Sequence, residues 1–109
     1  MSKSEVLRKD LESKSILKVG GAFDAMSAKL VENSGFDAVW AGSFAISATH
    51  ALPDASILTM TEFFDAASSM SSTCEIPIIA DCDTGYGGPS NVRHMVQKYE
   101  NAGISSICI

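Results

Sequence analysis

The 109-residue sequence lacks both a long apolar run and a cluster of basic residues. No segment approaches the roughly 20 apolar residues that cross a bilayer, and the polar start carries no signal-peptide core. The 8 Lys and Arg residues against 13 Asp and Glu residues give a net charge of -5. No basic patch is therefore available to neutralise a row of nucleic-acid phosphates. These features predict a cytoplasmic protein with neither a membrane nor a nucleic-acid partner.

Cysteine is also sparse. Cys74, Cys82 and Cys108 are odd in number and lack the CxxC spacing of a zinc or redox site. Buried free thiols are their expected state. The length suits one domain, which can bury roughly two-thirds of its unfolded surface around a single core.

Apolar periodicity alternates between strand and helix along the chain. A capping box at Ser2 and Glu5 begins a lead-in helix. The expected elements are a helix over 2–14, a strand over 16–19 ended by two glycines, a helix capped by Asp24, a strand over 36–41, a loop over 44–58, a helix capped by Thr59, a strand over 76–80, a helix after Pro89 and a strand over 104–109. The loop over 44–58 is long for a strand-to-helix connection, and such loops are often functional.

A repeated junction indicates the architecture. The pattern Glu-Asn-x-Gly closes a helix before a strand at Glu32 and again at Glu100. The two copies are separated by two units of about 34 residues each. This length is close to that of one βα unit in a (β/α)8 barrel. Alternation alone fits an open doubly wound sheet equally well. Because four strands cannot close a barrel, the α/β chain 1–109 is expected to be the N-terminal portion of one barrel domain, truncated after strand four.

The strongest chemical signal lies in residues 76–89. A short apolar run ends in Asp81, Cys82 and Asp83, and a glycine-rich turn follows. Because side chains alternate along a strand, the two carboxylates are expected on one side and Cys82 on the other. Two close carboxylates repel one another when unpaired, and Mg²⁺ prefers oxygen ligands. The same residue types also suit a polar turn without a metal.

Three segments, residues 35–43, 52–56 and 81–87, together resemble the phosphoenolpyruvate mutase and isocitrate lyase superfamily. Trp40 and residues 47–54 are most similar to the branch of phosphoenolpyruvate mutase and phosphonopyruvate hydrolase. The resemblance implies the first half of a (β/α)8 barrel, with four βα units and an N-terminal helix. It also implies Mg²⁺ at the carboxyl ends of the strands, and a homo-oligomer.

The resemblance assigns roles to three acidic residues. Asp81 matches the direct metal ligand of the family. Asp83 and Asp54 match the residues that hold the water ligands of the metal, and Asp54 is also expected to be catalytic.

The loop after strand two is implied to meet the carboxylate and carbonyl oxygens of the substrate. Its residues here are Trp40, Gly42, Ser43 and Phe44. In the family pattern a serine commonly stands two places after the aromatic residue. Here Gly42 holds that place and Ser43 follows.

The implied reaction moves a phosphoryl group from the enol oxygen of phosphoenolpyruvate to its methylene carbon, or hydrolyses phosphonopyruvate. The partner is thus a small anionic 2-oxo acid or an enol phosphate or phosphonate. A carbon-carbon lyase of the isocitrate or methylisocitrate type, and an inactive barrel fragment or assembly module, are the alternatives. The family residues that distinguish these reactions lie beyond strand four.

The remaining candidates are less specific. His50 lies in the long loop, which fits either an approach to the site or a purely structural position, whereas His94 is expected on a helix surface. Tyr86 suits either a pocket border or helix packing. The methionines on helical stripes, namely Met26, Met70 and Met95, are expected in the core.

Overall fold

The computed structural model describes residues 1–109 as one four-stranded parallel sheet with five helices. The elements are α1 (Lys3–Ser13), β1 (Val19–Ala22), α2 (Ala25–Asn33), β2 (Ala38–Ala41), α3 (Ser43–Thr49), α4 (Met60–Thr73), β3 (Ile78–Asp81), α5 (Pro89–Asn101) and β4 (Ser106–Cys108). The strands are ordered β1-β2-β3-β4. This confirms the α/β class, with four parallel strands behind an N-terminal helix and a helix after each of the first three strands. No helix has the length and apolar character needed to span a bilayer.

Side-chain caps set most helix starts where the sequence predicts them. The side chains of Ser2, Asp24 and Thr59 each accept a hydrogen bond from a backbone amide in the first turn of the helix that follows. The two repeated junctions also share one geometry, because Gly35 and Gly103 both have positive φ, 88° and 80°. Glycine adopts this left-handed conformation without steric cost, so the chain leaves α2 and α5 in the same way.

The prediction for the first strand is wrong. Residues 16–18 lie outside β1, which begins at Val19, and the glycines expected to end the strand lie inside it. Parallel pairing with β2 decides this, since it runs from Val19 opposite Ala38 to Ala22 opposite Ala41. A side chain at Gly20 would approach a Val31 methyl carbon to 2.6 Å, so glycine here allows α2 to pack closely on the strand.

The predicted loop over 44–58 is also partly wrong, because its first residues belong to the short helix α3. Gly42 precedes this helix and supplies no capping side chain, so the sequence carries no start signal. Burial holds the helix instead, through Ser43, Ile46 and Ser47. The loop that remains begins at His50 and carries Asp54.

The core lies between the sheet and the helices. Val39, Ala41, Ile78 and Ala80 are at most 1% exposed, and they face side chains of α4 and α5 that include Phe63, Met70 and Met95. The prediction for the methionines is confirmed for Met70 and Met95. It is wrong for Met26, which is 69% exposed on the outer side of α2. Helical periodicity locates an apolar stripe but does not show which neighbour covers it.

The opposite face of the sheet carries the less buried side chains. Gly21, Trp40 and Ile79 lie side by side across the three strands, and Asp81 follows Ile79 on the same face. This face leads to the carboxyl ends of the strands. The candidate site therefore lies where the open face and the strand ends meet.

Candidate active site

A cavity of about 250 Å³ opens at the carboxyl ends of β1, β2 and β3. Its lining consists of Gly21, Ala22, Trp40, Gly42, Ser43, Phe44, Ala45, Asp54 and Asp81. All four residues predicted to bind substrate lie in this lining, together with two of the three predicted acidic residues. Parallel strands bring them together because their carboxyl ends lie at the same edge of the sheet.

Asp81 is the last residue of β3 and is held by two backbone amides. Ser43 N–H donates to Oδ2 at 3.1 Å, and Asp83 N–H donates to Oδ1 at 3.0 Å. No Lys, Arg or His side chain pairs with Asp81. Its carboxylate is therefore fixed in orientation while its charge faces the cavity without a protein cation.

Asp54 approaches the same cavity from the loop after α3. Its Oδ1 accepts a hydrogen bond from the Ser43 hydroxyl at 2.9 Å, and it makes no salt bridge. Ser43 thus contacts both aspartates, one through its hydroxyl and the other through its amide. Two carboxylates face one cavity with hydrogen bonds but no counter-charge, an arrangement that favours cation binding.

Asp83 lies apart from this pair. The strand ends at Asp81, and Asp83 has a φ of 51°, so the alternation that predicts a shared side does not extend to it. Its Oδ2 accepts from the Ser56 hydroxyl at 2.5 Å, and it does not line the cavity. Its role toward a metal stays a prediction.

The acidic residues present fit Mg²⁺. No group of three or more His, Cys, Asp and Glu side chains forms a cage for a metal ion. Mg²⁺ does not require one, because it usually keeps several waters and is bound through one or two carboxylates together with substrate oxygens. Asp54 and Asp81 provide two such carboxylates on one cavity.

Every non-glycine residue with positive φ lies in one of two loops at this edge, the loop after α3 or the turn after β3. These are Ala51 at 56°, Ser56 at 58°, Asp83 at 51° and Tyr86 at 63°. Such conformations cost of order 1–3 kcal/mol each and persist where surrounding contacts determine them. Their concentration at the strand ends supports a functional rather than a purely structural role for these loops.

Trp40 forms the apolar wall of the cavity, as its place at the end of β2 predicts. The indole lies close over the backbone of Gly42. A Cβ atom added at Gly42 would lie 2.7 Å from the indole Nε1 and 3.0 Å from Cδ1. The pair of Trp40 and Gly42 therefore acts as one packing unit beside the acidic residues.

Cys82 points away from the cavity into the helix layer, as the strand alternation predicts. It is fully buried, and burial raises the pKa of its thiol to about 12.

Tyr86 lies beneath the same turn, with its ring stacked on Phe63 at a centroid distance of 6.0 Å and its hydroxyl 3.5 Å from the Asp81 carbonyl oxygen. These contacts favour the packing interpretation of Tyr86. The nearby Tyr99 hydroxyl is buried without a hydrogen-bond partner.

The two histidines lie outside the cavity. His50 Nε2 is 3.8 Å from Glu62 Oε2 in a separate groove, and His94 is exposed on α5. Sequence reasoning missed two hydroxyl contacts, those of Ser43 with Asp54 and of Ser56 with Asp83. The only sequence signal for Ser56 is its place in segment 52–56, one of the three segments that carry the family resemblance.

The sequence profile of the phosphoenolpyruvate phosphomutase family matches residues 7–109. The chain belongs to this family. Phosphonopyruvate hydrolase of Variovorax sp. (strain Pal2) is 41% identical over 98% of the chain, and 2,3-dimethylmalate lyase of Eubacterium barkeri is 40% identical over the same share. The chain spans 37% of the length of each of these relatives.

Solved structures of the phosphoenolpyruvate phosphomutase family share the fold. Phosphoenolpyruvate phosphomutase from Streptomyces platensis subsp. rosaceus superposes on 95% of the chain with a TM-score of 0.93 and 45% identity, using 36% of its own length. Phosphonopyruvate hydrolase in complex with oxalate and Mg²⁺ superposes on 98% of the chain with a TM-score of 0.95 and 41% identity, using 38% of its own length. Both confirm the predicted fold class.

Proposed function

We propose that this chain provides the metal- and substrate-binding part of a Mg²⁺-dependent enzyme that interconverts phosphoenolpyruvate and phosphonopyruvate, or hydrolyses phosphonopyruvate. The observation that supports this best is the meeting of Asp54 and Asp81 at one cavity without a protein cation. Relatives with these activities are 41% and 45% identical to the chain. Because the chain spans less than two-fifths of their length, the activity is proposed for the protein that contains the complete site.

In this proposal Asp81 would hold Mg²⁺ directly, and Asp54, from the loop after α3, would hold a water ligand of the metal. The two backbone amides on Asp81 keep both of its oxygens in place before a metal arrives, which lowers the cost of binding. The metal would supply Lewis-acid polarisation of the carboxylate and 2-oxo oxygens of the substrate. The complex of a relative with oxalate and Mg²⁺ supports this pairing of metal and ligand.

Trp40 and Phe44 would bind the carbon skeleton. Trp40 walls the cavity, and Phe44, which is 72% exposed, lies at its rim. Phosphoryl transfer passes through a loose transition state, so positioning and charge stabilisation provide most of the catalysis. An aromatic wall contributes by fixing the orientation of the pyruvyl group and by excluding water.

Metal binding tests the proposal directly on the chain. Titration with Mn²⁺ as the probe, in the presence and absence of oxalate, is expected to show one saturable site. Asp81→Ala should remove the site, and Asp54→Ala should weaken it by about 10–100-fold. Asp65→Ala is the matched control, since Asp65 is an exposed aspartate of α4 outside the cavity. Equal binding by wild type and Asp81→Ala would contradict the proposal.

Turnover tests the reaction. Phosphorus NMR of phosphoenolpyruvate and of phosphonopyruvate with Mg²⁺ distinguishes conversion between the two from release of phosphate. Either activity should disappear with Asp81→Ala and survive Asp65→Ala. No change of either compound in the complete protein would exclude both phosphonate reactions.

A second candidate is a carbon-carbon lyase acting at the same metal site. It is favoured by the 2,3-dimethylmalate lyase of Eubacterium barkeri, whose 40% identity nearly equals that of the phosphonopyruvate hydrolase. In either reaction the metal would hold a pyruvate-like group, so the residues of the cavity would serve both. Cleavage of a 2-methylisocitrate-like or 2,3-dimethylmalate-like acid, with no phosphonate turnover, would select this candidate.

A further inference from the structure

We propose that Ser43 is a positioning residue that ties Asp54 to Asp81, so that both carboxylates are set for one cation. The inference rests on the proposed metal site and assigns a role to a residue that does not itself bind the metal. Ser43 is the only residue that hydrogen-bonds to both side chains, through its hydroxyl at 2.9 Å from Asp54 Oδ1 and its amide at 3.1 Å from Asp81 Oδ2. It thereby connects the loop after α3 to the end of β3.

The hydroxyl of Ser43 is committed to this task. A serine hydroxyl has one proton to donate, and here that proton is given to Asp54. Ser43 is 5% exposed, so water competes little for the bond. The hydroxyl therefore does not also donate to a substrate carboxylate while Asp54 is held. Its part in the reaction is to orient an acidic residue rather than to bind substrate.

Gly42 explains why the hydroxyl comes from position 43. A side chain at Gly42 would collide with the Trp40 indole, since its Cβ would lie 2.7 Å from Nε1. With the indole in this place, the first residue after β2 that can carry a hydroxyl toward the cavity is Ser43. The order Gly-Ser in this sequence is thus coupled to the position of the tryptophan.

Asp54 needs such a tether because little else orders it. It is exposed, and the Ser43 hydroxyl is its only side-chain hydrogen bond. Its loop contains Ala51 and Ser56, both with positive φ, a conformation that other contacts must maintain. Ser56 fastens the far end of the loop to Asp83. Loss of the Ser43 hydroxyl would free the acidic residue between these points.

Ser43→Ala tests the inference, because it removes the hydroxyl and keeps the amide on Asp81. Without metal, amide hydrogen exchange over residues 50–58 should become faster in this variant. With Mn²⁺ as the probe, its affinity should fall about tenfold, the effect of one lost hydrogen bond to a charged group. Ser43→Thr retains the hydroxyl and should restore affinity. Ser47→Ala, a buried serine one turn later on α3 and outside the cavity, is the matched control.

The double variant Ser43→Ala with Asp54→Ala separates positioning from general destabilisation. If Ser43 acts through Asp54, the double variant binds Mn²⁺ no more weakly than Asp54→Ala alone. This comparison decides the matter even where the extra methyl group of threonine disturbs the buried site. Additive losses, or a Ser43→Ala effect no larger than that of Ser47→Ala, would overturn the inference.

The two proposals fail in different ways. If wild type binds Mn²⁺ through Asp81 but Ser43→Ala changes neither affinity nor exchange, the positioning role is wrong and the metal site stands. If wild type binds no Mn²⁺, the proposed function and the role of Ser43 toward a cation both fail, and the exchange data then show whether Ser43 is a purely structural tether.

Discussion

Replacement of Gly42 by alanine tests whether Trp40 and Gly42 form one packing unit beside the acidic residues. The backbone of Gly42 has a φ of -85°, which any residue adopts, so the change introduces no backbone strain. The added Cβ lies 2.7 Å from the indole Nε1, whereas unstrained contacts lie at about 3.5–4.0 Å. The indole must therefore move by about 1 Å.

Two effects of opposite sign set the magnitude. Overpacking costs typically about 1–3 kcal/mol, and the loss of glycine flexibility in the unfolded chain returns about 0.4–1 kcal/mol. Because the indole borders an open cavity, it can relieve the contact by moving, so the lower end of the cost applies. The net destabilisation is then small, about 0.5 kcal/mol at most, together with a clear displacement of the ring.

Tryptophan fluorescence measures that displacement without ambiguity, since Trp40 is the single tryptophan of the sequence. Its emission should shift to longer wavelength in Gly42→Ala as the ring moves toward water, and the urea midpoint should fall. Gly21→Ala is the matched control, because a Cβ there meets nothing within 4 Å although Gly21 lines the same cavity. Alanine loses less conformational freedom than glycine when the strand folds. The Gly21→Ala variant should therefore be as stable as wild type or about 0.5–1 kcal/mol more stable. Unchanged emission in Gly42→Ala, or an equal loss of stability in Gly21→Ala, would refute the reasoning.

Three further predictions concern the fold around the site. Glu32→Gln should lower the free energy of unfolding by about 1–2 kcal/mol at neutral pH, because Glu32 accepts two backbone amides before β3 and pairs with a lysine. Burial raises the pKa of Glu32, but these partners lower it below 4.5 overall. The difference in unfolding free energy between variant and wild type is therefore present above pH 4.5. It disappears in acid as the folded carboxylate protonates. In native chain at pH 8, mass spectrometry should find Cys108 alkylated and Cys82 protected, since burial raises the pKa of Cys82 to about 12 while Cys108 is exposed. Gly20→Ala places a methyl carbon 2.6 Å from Val31 and should cost about 1–3 kcal/mol in urea unfolding.

Specific results would contradict each of these. A stability difference between Glu32→Gln and wild type that persists at pH 2 would show that the carboxylate charge is not its cause. Equal alkylation of the two cysteines would mean that the turn after β3 opens readily. A Gly20→Ala variant as stable as Gly21→Ala would show that α2 adjusts on β1 without cost.

Local chemistry in the sequence determined much of the fold. The capping residues Ser2, Asp24 and Thr59 mark helix starts because a side-chain oxygen satisfies an amide of the first turn. The repeated glycines at helix ends mark the return to the sheet, since positive φ is nearly free for glycine alone. Alternation of strand and helix then leaves parallel pairing as the simplest topology.

Some elements carry no local signal and were decided by packing. β1 includes Gly20 and Gly21, which have low strand propensity, and it exists because β2 pairs along it. α3 begins without a capping side chain and is held by its buried face. The exposed Met26 shows the converse, in that an apolar stripe does not reveal which neighbour covers it.

For the candidate site, the sequence determined which residues have suitable chemistry, and the resemblance of three segments brought Asp54, Asp81 and Trp40 into one hypothesis. Only the tertiary structure decided how they meet. It places Asp54 and Asp81 on one cavity, turns Asp83 toward Ser56, and commits both donors of Ser43 to the acidic pair. The physical reason is that hydrogen bonds between segments tens of residues apart depend on where parallel strands end and how their loops return. No periodicity or local propensity encodes those positions.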